Sequence, residues 1–139
     1  MNVTTKLEVS MGHRLLGYDG NCAYLHGHNY IVEVTVGGKP DGIGIVVDFK
    51  VLRKALKEIF EPFDHAMVLH QQDPVAAMLP TERLVLLTVN PTAENIASLV
   101  FGKLIDRNFS PIRVVVRETS DGWAEATVVD RQVRIAAVQ

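Results

Sequence analysis

A single cysteine, Cys22, stands in 139 residues, which excludes an internal disulfide framework and fits a reducing cytoplasm. Neither charge is in excess: 14 Lys plus Arg against 16 Asp plus Glu leave a formal net charge of −2. That near-balance supplies no electrostatic reason for a nucleic-acid or anionic-membrane partner. No apolar run approaches the roughly 20 residues of a membrane span. The opening Met1-Asn2-Val3-Thr4-Thr5-Lys6-Leu7-Glu8 lacks the apolar stretch of a secretory signal. Internal repeats and low-complexity tracts are also missing. What is present is 47% apolar and 22% charged residues, too apolar for intrinsic disorder and of a length for one domain over 1–139. The expectation is a small soluble cytoplasmic domain.

Hydrophobic periodicity supplies the elements. Val3, Thr5, Leu7, Val9, Met11 and His13 alternate with Thr4, Lys6, Glu8, Ser10 and Gly12, which predicts a strand with one wetter face. Gly17, Asp19, Gly20 and Asn21 mark a loop over 15–25. A second strand follows over 27–37, with His28, Tyr30, Val32, Val34 and Val36 on one face. Gly37 to Gly42 is turn chemistry. The period then becomes helical over 49–60, where Leu52, Leu56, Ile59, Phe60 and Phe63 build one apolar face. Residues 64–91 are the least regular, with a possible short buried strand at Leu84 to Val89. Thr92 reads as the cap of a second helix reaching about Arg107, with Glu94 in its first turn. Two more strands, Ile112 to Glu118 and Trp123 to Val129, are joined by Ser120-Asp121-Gly122, a hairpin signal. The tail over 131–139 is a candidate to extend the pairing. The order β-β-α-α-β-β predicts an α+β fold, a four-stranded antiparallel sheet with two helices on one face.

Three of the five histidines cluster. His26 and His28 are two apart, so an extended chain sends both from one face. If the first two strands pair as a hairpin, His13 lies across from them, and Gly27 removes a side chain that would crowd the site. Three imidazoles with a fourth position open form a catalytic zinc arrangement, and zinc suits neutral imidazoles better than magnesium or calcium does. The competing reading is a set of exposed or core-capping histidines near a loop. Cys22 is either a small buried hydrophobe or, near a metal and imidazoles, a thiolate base or nucleophile. Asp64-His65 is either an ordinary surface dipeptide or a carboxylate orienting an imidazole for proton transfer. Glu118 is either a wet strand-edge acid or a ligand anchor whose carboxylate fork accepts two parallel N–H donors. His70 has no assignable role.

Taken in order, His13, Cys22-Ala23-Tyr24-Leu25-His26-Gly27-His28-Asn29-Tyr30, Val47-Asp48-Phe49, Phe63-Asp64-His65, Asn90-Pro91-Thr92-Ala93-Glu94-Asn95 and Arg117-Glu118-Thr119 resemble the 6-pyruvoyl-tetrahydropterin synthase family. The resemblance is nearest to its bacterial branch, the 6-carboxy-5,6,7,8-tetrahydropterin synthases of queuosine biosynthesis. It implies the tunnelling fold, with trimers that form a barrel and stack in pairs as a homohexamer. It implies Zn2+ held by His13, His26 and His28, a catalytic set of Cys22, Asp64 and His65, and Glu118 as pterin anchor with Thr92 beside it. Asp64 and His65 would come from the neighbouring chain. The implied reaction converts 7,8-dihydroneopterin triphosphate to 6-carboxy-5,6,7,8-tetrahydropterin with release of acetaldehyde and triphosphate. Elimination to a 6-pyruvoyl product, or a non-catalytic pterin- or metal-binding module, are the alternatives. One departure is local: Val9-Ser10-Met11-Gly12 precedes His13 where the family usually shows Phe-x-Ala-Ala. The segment between His65 and Pro91 is also longer than in the shortest members.

Overall fold

The computed structural model describes residues 1–130 and 137–138. Strands β1 (Asn2–His13) and β2 (His26–Gly37) pair antiparallel from Asn2↔Gly37 to His13↔His26, a hairpin closed by a long loop. Helix α1 (Phe49–Phe60) follows, then strands β3 (Ala66–His70) and β4 (Leu84–Leu87), helix α2 (Ala93–Asp106), and strands β5 (Pro111–Arg117), β6 (Trp123–Thr127) and β7 (Ala137–Val138). Among the described residues the sheet order is β6-β5-β2-β1-β3-β4-β7.

The four strands expected from alternation are the antiparallel half, β6-β5-β2-β1. The expectation of a four-stranded antiparallel sheet fails beyond β1. There β3 pairs parallel to β1, β4 parallel to β3, and β7 antiparallel to β4, so the sheet is mixed. The short strand foreseen between the helices is β4, but β3 was not foreseen. Its five residues are too few for a visible period, and it is specified by pairing with Met11, Gly12 and His13 from a distant part of the chain. Of the tail over 131–139, residues 137–138 extend the pairing as expected. Residues 131–136 and 139 lie outside the described part.

One face of the sheet carries the core. Val9, Met11, Tyr30, Val32, Val34, Val114, Val116 and Ala126 are buried there against Leu52, Leu56, Ile59 and Phe60 of α1 and Ile96, Val100 and Leu104 of α2. Each fully buried Leu or Ile contributes about 1.5–3 kcal/mol by leaving water. Asp48 caps α1 by accepting from Lys50 N at 2.7 Å, and Thr92 caps α2 by accepting from Asn95 N at 3.2 Å. The second cap is the one anticipated at Thr92. No helix among the described residues is long and apolar enough to cross a membrane.

Candidate metal centre and adjoining cleft

Register alone brings the histidines together. His13 pairs with His26 and Met11 with His28, and directly opposed residues share a face. The imidazoles of His13, His26 and His28 therefore project together at the end of β1 and β2 that carries the loop over 14–25. Their candidate ligand nitrogens all lie within 4.8 Å of one another. Gly27 is needed between two of them, as a Cβ there would sit 2.7 Å from Met11 O and 3.3 Å from Gly12 Cα. The crowding it relieves is with the β1 backbone.

Hydrogen bonds fix which nitrogens are available. His13 Nδ1 lies 2.8 Å from Pro91 O and His26 Nδ1 lies 2.7 Å from Tyr24 O. A carbonyl only accepts, so both Nδ1 atoms donate there, and in the neutral ring, the form that binds a metal, each Nε2 then presents its lone pair. Those two Nε2 atoms face each other at 3.0 Å. Facing lone pairs repel unless a cation lies between them, and nitrogens bound to one tetrahedral zinc at roughly 2.0–2.1 Å each stand about 3.3 Å apart, a few tenths of an ångström wider than this pair. Backbone acceptors behind the rings are the usual outer support of metal-binding histidines. His13 is also wholly buried, and burial pushes its pKa below the ordinary imidazole value, with Pro91 O and Glu118 acting the other way and the two neighbouring imidazoles adding to the fall. A neutral imidazole is the ligating form. The donor set fits a metal ion that prefers nitrogen.

A cleft of about 530 Å3 opens beside the cluster, lined among others by His13, Tyr18, Cys22, Thr92, Glu118 and Ala124. Cys22 is half-buried in a single turn over Asn21–Ala23. The far side of its loop is tied to the residues that directly follow β1, with Leu15 N donating to Cys22 O at 2.8 Å and Arg14 Nη1 donating to Ala23 O at 3.3 Å. Asn90 holds the same loop from below, bonding Leu16 N and Leu16 O through its side-chain amide. Glu118 follows β5, at the Asp121-Gly122 hairpin turn that the sequence anticipated. Its Oε1 accepts from Tyr30 Oη at 3.1 Å and lies 3.8 Å from His13 Nε2. Thr92 reaches the cleft while its hydroxyl serves α2.

Asp64 and His65 are elsewhere. They follow α1, exposed, with His65 Nδ1 3.1 Å from Asp64 Oδ2. His65 has φ 57°, a left-handed conformation uncommon for a residue with a side chain. Both are clipped to Ser10: His65 N donates to Ser10 O at 2.7 Å and Ser10 N donates to Asp64 Oδ1 at 3.3 Å. His65 borders a second hollow of about 610 Å3 with Ser10, His28, Asn29, Met67 and Arg83; of the histidine cluster only His28 reaches it, and Cys22, Thr92 and Glu118 do not border it. Among the described residues no hydrogen bond or ion pair joins Asp64 or His65 to Cys22, the three histidines or Glu118. His70 accepts from Gln72 N at 3.0 Å, a local turn contact.

Sequence reasoning missed four contributors: Tyr30, Arg14, Asp73 and Asn90. Tyr30 had a signal, its alternation onto the same face as His26 and His28. Arg14 with Asp73, and Asn90 with Leu16, meet partners 59 or more residues away, a contact that neither the pattern around them nor the motif containing Asn90 announces.

This fold and this histidine site define one class of protein. The family described as 6-pyruvoyl tetrahydropterin synthase matches residues 2–128, and the chain belongs to that family. Among its relatives, proteins named 6-carboxy-5,6,7,8-tetrahydropterin synthase from Rickettsia typhi and Rickettsia bellii are 34% and 35% identical over 133 residues, covering 88% of this chain and 96% of each relative. The fold is also that of an uncharacterized protein from Wolinella succinogenes, with TM-score 0.77 and 20% identity over 92% of this chain and 98% of that one. A 6-pyruvoyltetrahydropterin synthase from Plasmodium vivax superposes with TM-score 0.71 at 19% identity, covering 91% of this chain and 97% of that chain.

Proposed function

We propose that this pterin lyase of the 6-pyruvoyl tetrahydropterin synthase family is zinc-dependent and converts 7,8-dihydroneopterin triphosphate to 6-carboxy-5,6,7,8-tetrahydropterin, releasing acetaldehyde and triphosphate. It acts in cytoplasmic queuosine (7-deazapurine) biosynthesis. The names of relatives about 34% identical over most of the chain support the 6-carboxy branch. The observation that carries the reading is the pair of facing His13 and His26 Nε2 atoms, 3.0 Å apart, beside a cleft holding Cys22 and Glu118.

Glu118 receives the pterin ring, its carboxylate accepting parallel N–H donors from the heterocycle edge. That leaves the ring's side chain directed toward the histidines, with reacting groups held in place. His13, His26 and His28 would hold the zinc ion, which when bound would supply Lewis-acid polarisation and make neighbouring protons easier to remove. Cys22, in the same cleft, takes a proton as thiolate base. His65 carries protons and Asp64 orients its imidazole. Because Asp64 and His65 lie away from the Cys22 cleft of their own chain, they serve the cleft of a neighbour, in a trimer stacked with a second as a hexamer.

The test is turnover. Zinc-loaded protein is incubated with 7,8-dihydroneopterin triphosphate and the products are identified by mass. The 6-carboxy product with acetaldehyde supports the reading. A 6-pyruvoyl product moves the protein to the other branch, and binding without turnover makes it a pterin-binding module.

A further inference from the structure

Tyr30 stands where the metal cluster and the cleft meet. Its side chain is wholly buried on β2, with its ring edge-on to His13 and His28 at centroid distances of 5.8 and 5.4 Å. The hydroxyl lies 3.2 Å from each ring nitrogen of His13 and 3.1 Å from Glu118 Oε1. It has one proton to give. His13 Nδ1 already donates to Pro91 O, and its Nε2 faces His26, so the carboxylate takes that proton.

We propose that Tyr30 is a positioning residue for pterin binding: by donating to Glu118 Oε1 from a site wedged against His13, it holds the anchor carboxylate in fixed register with the histidine cluster. A glutamate on a strand end has three rotatable bonds, and only some rotamers aim its fork into the cleft. One donated bond selects among them. It leaves Glu118 Oε2 and the second lone pair of Oε1 free to accept two N–H groups of the ring. The distance from anchor to metal site is then set by a rigid aromatic spacer, which specifies how long a pterin side chain reaches the metal. This inference rests on the reading of Glu118 as the pterin anchor.

The experiment measures binding of neopterin, a fluorescent pterin, to the zinc-loaded protein, together with zinc content and steady-state kinetics. Tyr30→Phe removes only the hydroxyl and keeps the packing. Neopterin affinity should fall about 3- to 10-fold, the net worth of one hydrogen bond, with zinc content unchanged. KM for 7,8-dihydroneopterin triphosphate should rise by a similar factor, with kcat within about 2-fold. Glu118→Gln should weaken neopterin on its own, and adding Tyr30→Phe to it should cost less than about 2-fold more, because the two act through one contact. Glu118→Asp retracts the carboxylate from Tyr30 and should likewise become indifferent to Tyr30→Phe, which tests the coupling a second way.

Wild-type neopterin affinity in Tyr30→Phe, alongside a weakened Glu118→Gln, overturns the positioning role and leaves the anchor standing. Wild-type affinity in Glu118→Gln overturns the anchor and the inference with it. Zinc loss in Tyr30→Phe, or penalties that simply multiply in the double variant, mean that Tyr30 acts on the histidines or by itself, and also overturn the proposal.

Discussion

Arg14 and Asp73 meet as a two-pronged ion pair across 59 residues of chain, Nε to Oδ2 at 2.7 Å and Nη2 to Oδ1 at 2.8 Å. The Asp73 side chain is fully buried, and its Oδ1 also accepts from Val75 N at 3.0 Å. Arg14 directly follows His13 and sends its remaining nitrogen to Ala23 O, one residue past Cys22. Metal ligand, cysteine loop and the segment after β3 are thus fastened at one point.

Removing one member of a buried pair leaves the other charge without compensation, at a cost of about 3–5 kcal/mol. Asp73→Ala should lower the urea unfolding free energy by an amount near the low end of that range, since Arg14 keeps partial access to water. The Cys22 loop should loosen as well, which faster alkylation of the chain's one thiol would report. An unchanged unfolding curve would mean that the pair contributes nothing net.

Acid should destabilise the metal-free protein in two stages. His13 is held below its ordinary 6.5 chiefly by burial, so the unfolded chain takes up a proton there before the folded one. Stability is full above pH 6.5 and declines as pH falls through the lower folded value. Asp73 is held below its ordinary 3.8, chiefly by the hydrogen bonds from Arg14, so its contribution is full above about pH 4 and is lost as pH falls further. Urea unfolding of chelator-treated protein from pH 8 to pH 3 checks both stages. His13→Asn should abolish the first and Asp73→Asn the second.

Zinc should be present at about one ion per chain by elemental analysis. His26→Ala should lose most of it, because one of two facing lone pairs disappears. Cys22→Ala should keep zinc and fold while losing turnover, as the thiol lies in the cleft without completing the histidine set. Zinc loss in Cys22→Ala would make the sulfur a ligand and the site nearer a closed structural one.

If the active site is shared between chains, Cys22→Ala and His65→Ala should each be nearly inactive yet complement one another. Co-refolded oligomers would contain some interfaces with an intact Cys22 and an intact His65, and partial activity should return. Verified mixed oligomers without recovery, from variants that fold and bind zinc, would require all catalytic groups to act within one chain.

The features legible in the amino-acid order alone are local and periodic. Alternation in 3–13 and 27–37 assigned a strand face to His13 and to His28, and the two-residue spacing put His26 on the face of His28. A hairpin between the strands needed nothing further to bring three imidazoles together, since opposed residues share a face. The apolar spacing of Leu52, Leu56 and Ile59, the cap at Thr92 and the turn at Asp121-Gly122 were legible for the same reason: each depends on residues within about four positions of itself. Features that depend on distant partners emerge only once the chain is packed. β3 is a strand because β1 offers it an edge, and nothing in its five residues announces this. Pro91 O and Tyr24 O choose the nitrogens that His13 and His26 present, and a backbone carbonyl has no sequence signature. Arg14 finds Asp73 and Tyr30 finds Glu118 across 59 and 88 residues. Asp64 and His65, adjacent to the rest in motif order, lie beside another hollow because the turn after α1 pins them to Ser10. Sequence pattern reports which face a side chain leaves from, whereas long-range packing decides what it meets there.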